Sequence, residues 1–386
     1  MIKKVYFDNA ATTRVHPKVI EKMLPVLKED FGNPSSIHSF GRQAKVMVEE
    51  AREIVAEFIH ADPGEVYFMS GGTEANNYAI NGIAKTVYNE SGKNHIITSQ
   101  ADHHCVLDKY GELGNLGFWA HYSKMNPDGT VFFDDILSAV AENTSLVSLI
   151  HINNETGALN DVTGLRKSLK DRNIFLHADA VQSFGKIPIN VKTLGVDSLA
   201  GSSHKIFGPK GTGFAYIKSG TPFSPMIFGG SQERNRRGGT ENVAGIVGFA
   251  EAVKIASKEM NDNFTSVSKL KSMLIYGIQN IDGKYININS NSNSSPYILS
   301  ITFHPKNYKV DTEAMIMFLD INGIAASSGA ACSSGTLKAS HVILSLGKSV
   351  EEAAGTIRFS FSAENTEGEV NLALEVLNKM VKKFKR

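Results

Sequence analysis

Two periodicities take turns along this chain. Arg42 to Phe58 follows the spacing of an amphipathic helix, whereas His95 to Thr98, Val147 to Ile152, Ile174 to His177 and Gly213 to Ile217 are short, β-rich apolar runs. Alternation of this kind predicts an α/β fold with a largely parallel sheet covered by helices. In such sheets ligands gather beyond the carboxyl ends of the strands. Asn154, Asp179 and Lys205 all follow closely behind such runs.

Past Glu241 the pattern changes. A long helical stretch passes through Met260 and Leu274, then Tyr285 to Ile288, Ile298 to Phe303, Asp311 to Leu319 and Ile357 to Ser360 suggest a smaller α+β unit. The Asn- and Ser-rich segment Asn289 to Ser295 reads as an exposed loop without chemistry. No internal repeat is visible.

Near the start, the apolar stretch Val66 to Met69 leads through Ser70-Gly71-Gly72-Thr73-Glu74 into a helical pattern from Ala75 to Ile83. A strand, a glycine turn and a helix start leave backbone N–H groups and the positive end of the helix dipole free for a phosphate. An ordinary tight turn capped by Thr73 satisfies the same residues. The Gly-x-x-x-x-Gly-Lys-Ser/Thr run of a nucleotide P-loop does not occur.

Composition narrows the function classes. With 386 residues, 42% of them hydrophobic and 20% charged, the chain is long enough for two compact units. Forty basic against 39 acidic residues leave a net charge of +1, so neither nucleic acid nor an anionic membrane is an expected partner. No stretch approaches the roughly 20 apolar residues of a membrane span, and the first residues meet Asp8 and Asn9 before a signal-like core can form. The two cysteines, Cys105 and Cys332, make a disulfide framework unexpected and point to a reducing cytoplasm.

Candidate chemistry centres on Lys205, reached through Ser202-Ser203-His204, and on the run His177-Ala178-Asp179-Ala180-Val181-Gln182 upstream. A lysine can hold an aldehyde cofactor as a Schiff base, and a carboxylate can keep a ring nitrogen protonated. The pair points to pyridoxal phosphate. His103-His104-Cys105 could be read as metal ligands, but contiguous residues point in different directions and no second cluster completes a coordination shell. No metal is therefore expected, and Cys105 reads as a small packed hydrophobe.

Six motifs occur in order: Asp8-Asn9-Ala10-Ala11-Thr12-Thr13, Gly32-Asn33-Pro34-Ser35-Ser36, Asn153-Asn154-Glu155-Thr156-Gly157, Ser202-Ser203-His204-Lys205, Arg237-Gly238-Gly239-Thr240 and Ser327-Ser328-Gly329-Ala330-Ala331-Cys332. Together they closely resemble the cysteine desulfurases, class V, fold type I pyridoxal phosphate enzymes, over nearly the whole chain. The resemblance implies a large domain over residues 14–258 with a mostly parallel seven-stranded sheet. It also implies a smaller α+β domain from residues 1–13 and 259–386 that carries a mobile cysteine loop at about residues 326–337.

The resemblance also implies roles. Lys205 would bind the cofactor and move the substrate proton, and Asp179 would hold the pyridinium. Gln182 and Asn154 would address the phenolic oxygen or substrate; Gly72, Thr73, Ser202 and His204 would bind phosphate. His103 would stack on the ring as acid and base. Thr240 would reach the phosphate of the other subunit of a homodimer, and Arg358 would fork onto the substrate carboxylate. Cys332 would take sulfur from L-cysteine as a persulfide, release L-alanine, and pass the sulfur to an acceptor protein such as an iron–sulfur scaffold. A selenocysteine lyase, another class V aminotransferase and a non-catalytic binding protein are the competing readings.

Phe228, Gly238 and Tyr297 replace the histidine, serine and asparagine expected in the family, and His104-Cys105 replaces a commoner pair. The basic end, Lys382-Lys383-Phe384-Lys385-Arg386, reads as a solvated helix terminus favoured by its dipole.

Overall fold

Seven short runs pair into one sheet, six of them buried on both faces as a sheet between helices requires, the seventh, Trp119–Ser123, a partly exposed edge. The computed structural model describes residues 4–170, 172–328 and 339–386. Among these the strands are β1 (Val5–Tyr6), β2 (Val66–Met69), β3 (His95–Ser99), β4 (Trp119–Ser123), β5 (Thr144–Ile150) and β6 (Phe175–Asp179). They continue with β7 (Ser198–Ser202), β8 (Gly213–Ile217), β9 (Ile286–Ile288), β10 (Ile298–Phe303), β11 (Ile324–Ala325) and β12 (Thr356–Ser360). The large sheet has the order β2-β8-β7-β6-β5-β3-β4, and only β8 runs against its neighbours. The carboxyl ends of β2, β5, β6 and β7 therefore share one edge.

A second, antiparallel sheet has the order β12-β10-β9, and β1 pairs with β11 in parallel. Each sheet has its own apolar core. Phe68, Val147, Leu176, Leu199 and Phe214 belong to the larger; Leu299, Ile301, Phe303, Ile357 and Phe359 belong to the smaller, with Val5, Phe7 and Ala10 from the start of the chain.

The helix Val243–Asp282 joins the two. Its first half packs into the large core through Ile246, Phe249 and Val253, and its second half into the small core through Val267, Leu270 and Leu274. The N-terminal segment crosses back as well: Asp8 bridges Ser360 alongside β12, and Thr13 N donates to His204 O at 2.9 Å.

One sequence expectation needs correction. The segment from Asn289 to Ser295 is a loop whose middle, Ser292 and Asn293, is exposed as expected, but its two ends, Asn289 and Ser295, are buried. Asn289 Nδ2 donates to Ser300 Oγ and Thr302 Oγ1 in β10, and the buried Lys271 donates to Ser294 Oγ and Ser295 O, both at 2.8 Å. Polar side chains satisfied by distant partners can be buried as readily as apolar ones.

Candidate active site

A cavity of about 390 Å³ opens at the shared edge of the large sheet, closed on its far side by β12. It is lined by Gly72, Thr73, His103, Asn154, Asp179, Gln182, Ser202, His204, Lys205 and Arg358, together with Ala10, Asn76, Cys105 and Ser327. Residues from eight separate stretches of sequence meet there. Thr240 is exposed and does not line this cavity. Cys332 and the residues around it lie outside the described residues.

The turn after β2 is built for close approach. Gly71 has φ +154°, open to glycine and strained for other residues, and caps the helix Gly72–Ser91. A Cβ on Gly72 would sit 2.5 Å from Val181 Cγ2. Thr73 lies inside the helix, so it is not the cap. Opposite the turn, the Ser202 hydroxyl at the end of β7 is buried with no hydrogen-bond partner among the described residues.

Lys205 sits in the short turn Ser203–Lys205, where its ammonium donates to the carbonyls of Ala10 (2.6 Å) and Ala11 (2.7 Å). Burial, then the Arg358 charge, lowers its pKa to about 8, against the pull of Asp8 and Asp179. Gln182 is already engaged at both ends: Nε2 donates to Ala10 O at 2.8 Å and Oε1 accepts from the buried Lys186 at 3.0 Å. Nearby, His204 Nδ1 is 3.1 Å from Thr12 Oγ1. Burial holds that imidazole neutral, with a pKa of about 4.

Asp179 ends β6. Its carboxylate accepts from Val181 N (3.0 Å) and Asn76 Nδ2 (2.9 Å), and burial raises its pKa. Among the described residues no cation forms a hydrogen bond or ion pair with it. His103 caps the helix His104–Asn115, its Nδ1 accepting from Cys105 N at 3.1 Å. Although His103 keeps surface open to the cavity, the protein crowded around its ring, then Lys205, push its pKa down to about 4. Its Nε2 has no hydrogen-bond partner among the described residues. His104 instead packs against His341, the rings tilted by 54° with centroids 4.4 Å apart, and desolvation pushes the half-buried Cys105 thiol up beyond the range of any reactive cysteine. Among the described residues no group of three His, Cys, Asp or Glu side chains could hold a metal.

Arg358 comes from the middle of β12. Its Nη1 donates to Asn154 O and its Nη2 to Asp8 Oδ1, both at 2.8 Å, while its buried Nε lacks a partner among the described residues. Asn154 Oδ1 is buried and unsatisfied too. The Asn154 backbone is fixed by its neighbour: Asn153 Oδ1 accepts from Glu155 N and Thr156 N, each at 2.9 Å.

Residues 5–372 match the aminotransferase class-V family model. The chain belongs to the class V aminotransferase family. It is 43% identical over 386 residues to the cysteine desulfurase IscS of Dictyoglomus turgidum, covering all of this chain and 96% of that one. The cysteine desulfurase IscS of Clostridium botulinum is 40% identical over 385 residues, 99% of this chain and 95% of its own. Among solved structures a NifS-like protein superposes with a TM-score of 0.90 at 36% identity, covering 99% of this chain and 100% of that one. The structure described as SspA in complex with cysteine superposes with a TM-score of 0.80 at 32% identity, covering 94% and 100%.

The donor set fits pyridoxal phosphate. A depressed lysine amine suits an aldehyde, a buried carboxylate short of a cation suits a pyridinium, and the turn at Gly71-Gly72 with the orphan Ser202 hydroxyl suits a phosphate. Asn76, Lys186 and the carbonyls of Ala10 and Ala11 escaped the sequence reading. Asn76 had a signal: it is a polar residue beside Ala75, Ala79 and Ile80 on the buried face of its helix.

Proposed function

We infer that the protein is a pyridoxal phosphate-dependent cysteine desulfurase, an enzyme that converts L-cysteine to L-alanine and hands the sulfur to an acceptor. What carries the reading is the convergence of Lys205, Asp179 and Arg358 on one cavity in a class V chain with full-length cysteine desulfurase relatives.

In this reading Lys205 binds the cofactor aldehyde, and Asp179 holds the ring nitrogen. Gly72, Thr73, Ser202 and His204 would take the phosphate, Gln182 and Asn154 would address the phenolic oxygen or the substrate, and His103 would stack on the ring. When bound, pyridoxal phosphate supplies an electron sink for the charge left on the substrate α-carbon. Arg358 grips the substrate carboxylate and orients the α-proton. The Lys205 amine, freed by substrate, takes that proton, and His103, neutral near pH 7, is free to exchange another. The Cys332 thiolate attacks the substrate sulfur: an S–S bond forms, the C–S bond breaks, and its electron pair stays with carbon. Protonation of that carbon and return of the α-proton by Lys205 give alanine, and Cys332 keeps a persulfide for an acceptor protein, an iron–sulfur scaffold being the expected recipient.

The active unit of this reading is a homodimer. Ile37 is 90% exposed, Phe228 78% and Phe31 73%, large apolar surfaces close to Ser35, whose Oγ accepts from Gln232 Nε2. The exposed Thr240 follows on the same segment and would reach the neighbouring subunit's phosphate. No described helix is long and apolar enough to cross a membrane, and the reducing cytoplasm expected from cysteine usage suits a persulfide.

The decisive experiment is Cys332→Ser. The variant is expected to keep the cofactor's absorbance and its spectral response to L-cysteine, while alanine and sulfide formation stop. Undiminished sulfide release would remove Cys332 from the mechanism.

A further inference from the structure

Behind Asp179 runs a chain of side chains that the reaction itself does not use. Ser198 Oγ lies 2.9 Å from His177 Nδ1, His177 Nε2 lies 2.8 Å from Asn76 Oδ1, and Asn76 Nδ2 lies 2.9 Å from Asp179 Oδ2. All four residues are buried, Ser198, His177 and Asn76 completely so.

The direction of this chain is fixed by its chemistry. The pyridinium that Asp179 would hold in the cofactor reading calls for a carboxylate, and a carboxylate only accepts, which requires Asn76 to present its NH₂ group there and its carbonyl oxygen to His177. An amide oxygen can only accept, so His177 must carry its proton on Nε2. Its Nδ1 then accepts from the Ser198 hydroxyl. Burial pushes the His177 pKa down to about 3, so the ring stays neutral and cannot reverse the polarity. The second Asn76 hydrogen faces Cys105 Sγ at 3.4 Å, leaving the amide no alternative partner.

We propose that Asn76 and His177 are positioning residues, holding Asp179 ionised and turned toward the cofactor's ring nitrogen through a one-way chain of hydrogen bonds that starts at Ser198. Strands β6 and β7 and the helix Gly72–Ser91 each contribute to it, so the sheet and the phosphate turn are locked to the same carboxylate. Without the Asn76 donor a buried carboxylate loses one of two hydrogen bonds that favour its charged form, and its grip on a pyridinium proton weakens.

This inference rests on the cofactor assignment, and its test separates the two. Apoprotein is loaded with ¹⁵N-labelled pyridoxal phosphate, and the ring-nitrogen chemical shift is followed against pH alongside cofactor affinity by titration. Failure of the wild type to take up the label would sink the cofactor reading itself. In a wild type that does take it up, Asn76→Leu and His177→Leu are expected to release the ring proton at lower pH and to weaken cofactor binding about ten-fold or more, as for one lost hydrogen bond to a charged group. His177→Gln, which can offer an amide N–H near the Nε2 position, is expected to stay close to wild type. Should the leucine variants fail to fold by circular dichroism, Ser198→Ala and His177→Gln make the same comparison, the first shifting the titration and the second not. A wild-type titration in a folded Asn76→Leu, His177→Leu or Ser198→Ala protein, or a loss in His177→Gln as large as in His177→Leu, overturns the proposal.

Discussion

Arg358 Nη2 sits 2.8 Å from Asp8 Oδ1, tying the middle of β12 to the N-terminal segment that crosses the cavity. With Nη1 on Asn154 O, the guanidinium is held in a set plane and its buried Nε remains without a partner among the described residues. Each Nη keeps a second N–H, and a planar fork of that kind is suited to a substrate carboxylate, which a compact ammonium cannot match. Arg358→Lys is expected to raise the KM for L-cysteine about 10- to 100-fold, as for a lost charge-assisted hydrogen bond, with cofactor uptake unchanged. Steady-state kinetics beside a cofactor titration checks this; an unaltered KM would take the substrate carboxylate away from Arg358.

Only a neutral amine can attack an aldehyde, so the depressed pKa of Lys205 has a kinetic consequence. Burial and Arg358 bring it from 10.5 to about 8. The rate at which apoprotein takes up pyridoxal phosphate should therefore rise with pH through a midpoint near 8 and level off above it. Arg358→Met removes the second depressing influence, so its midpoint should move upward. Stopped-flow absorbance over a pH series measures both, and a wild-type midpoint near that of a free lysine would contradict the burial argument.

Most strands that cradle the cavity were legible because their apolar runs are short and dense; β7, Ser198–Ser202, was not, since small and polar residues make up most of it. Gly213–Ile217 is β8 itself, and Asp179 and Lys205 stand at or just beyond strand ends, as the alternating pattern requires. Legibility failed where polar side chains are buried on distant partners. Strand β5 begins at Thr144, ahead of the apolar run from Val147, because Thr144 Oγ1 bonds His95 Nδ1 and Ser145 Oγ donates to His95 O across the sheet. Asn289, Lys271 and the Ser198-His177-Asn76 chain were hidden for the same reason. Each looks polar in sequence and is satisfied only by a residue far away along the chain.

Arg52 and Glu233 form a buried, two-pronged ion pair, Nη1 to Oε2 at 2.7 Å and Nη2 to Oε1 at 3.0 Å, with Phe68 N also donating to Oε2. It anchors a turn in which Glu233, Arg234 and Asn235 all have positive φ, 45°, 57° and 62°, without a glycine among them. The segment leads on to Thr240. Glu233→Gln leaves the buried Arg52 with only the partly exposed Glu49, 3.1 Å from its Nε, as counter-charge and is expected to cost about 3 kcal/mol. The double variant Arg52→Met/Glu233→Met should recover much of that, since two well-packed apolar groups need no counter-charge. Urea unfolding of both tests the argument, and a nearly neutral Glu233→Gln would show that other contacts hold the turn.

Asp102 precedes His103 in a completely buried position. Its Oδ2 accepts from Thr98 Oγ1 at 2.5 Å and Ser99 N at 2.9 Å, but its Oδ1 has no partner among the described residues, and burial raises its pKa from 3.8 to about 6. The folded state therefore holds this proton more tightly than the unfolded chain does. As pH rises from 3.8 to about 6, the folded protein loses that advantage, and above the window the full cost of a buried charge is present. An amide oxygen in place of the carboxylate would accept the same two hydrogen bonds without ionising, so Asp102→Asn should stabilise the protein at pH 8 by up to about 3 kcal/mol. The gain should shrink as pH falls through the window. Thermal unfolding of wild type and Asp102→Asn across that range measures the difference directly. A gain that stays constant with pH, or a loss at pH 8, would mean that Asp102 is held as an anion by its two donors and that the cost of burial has been met within the site.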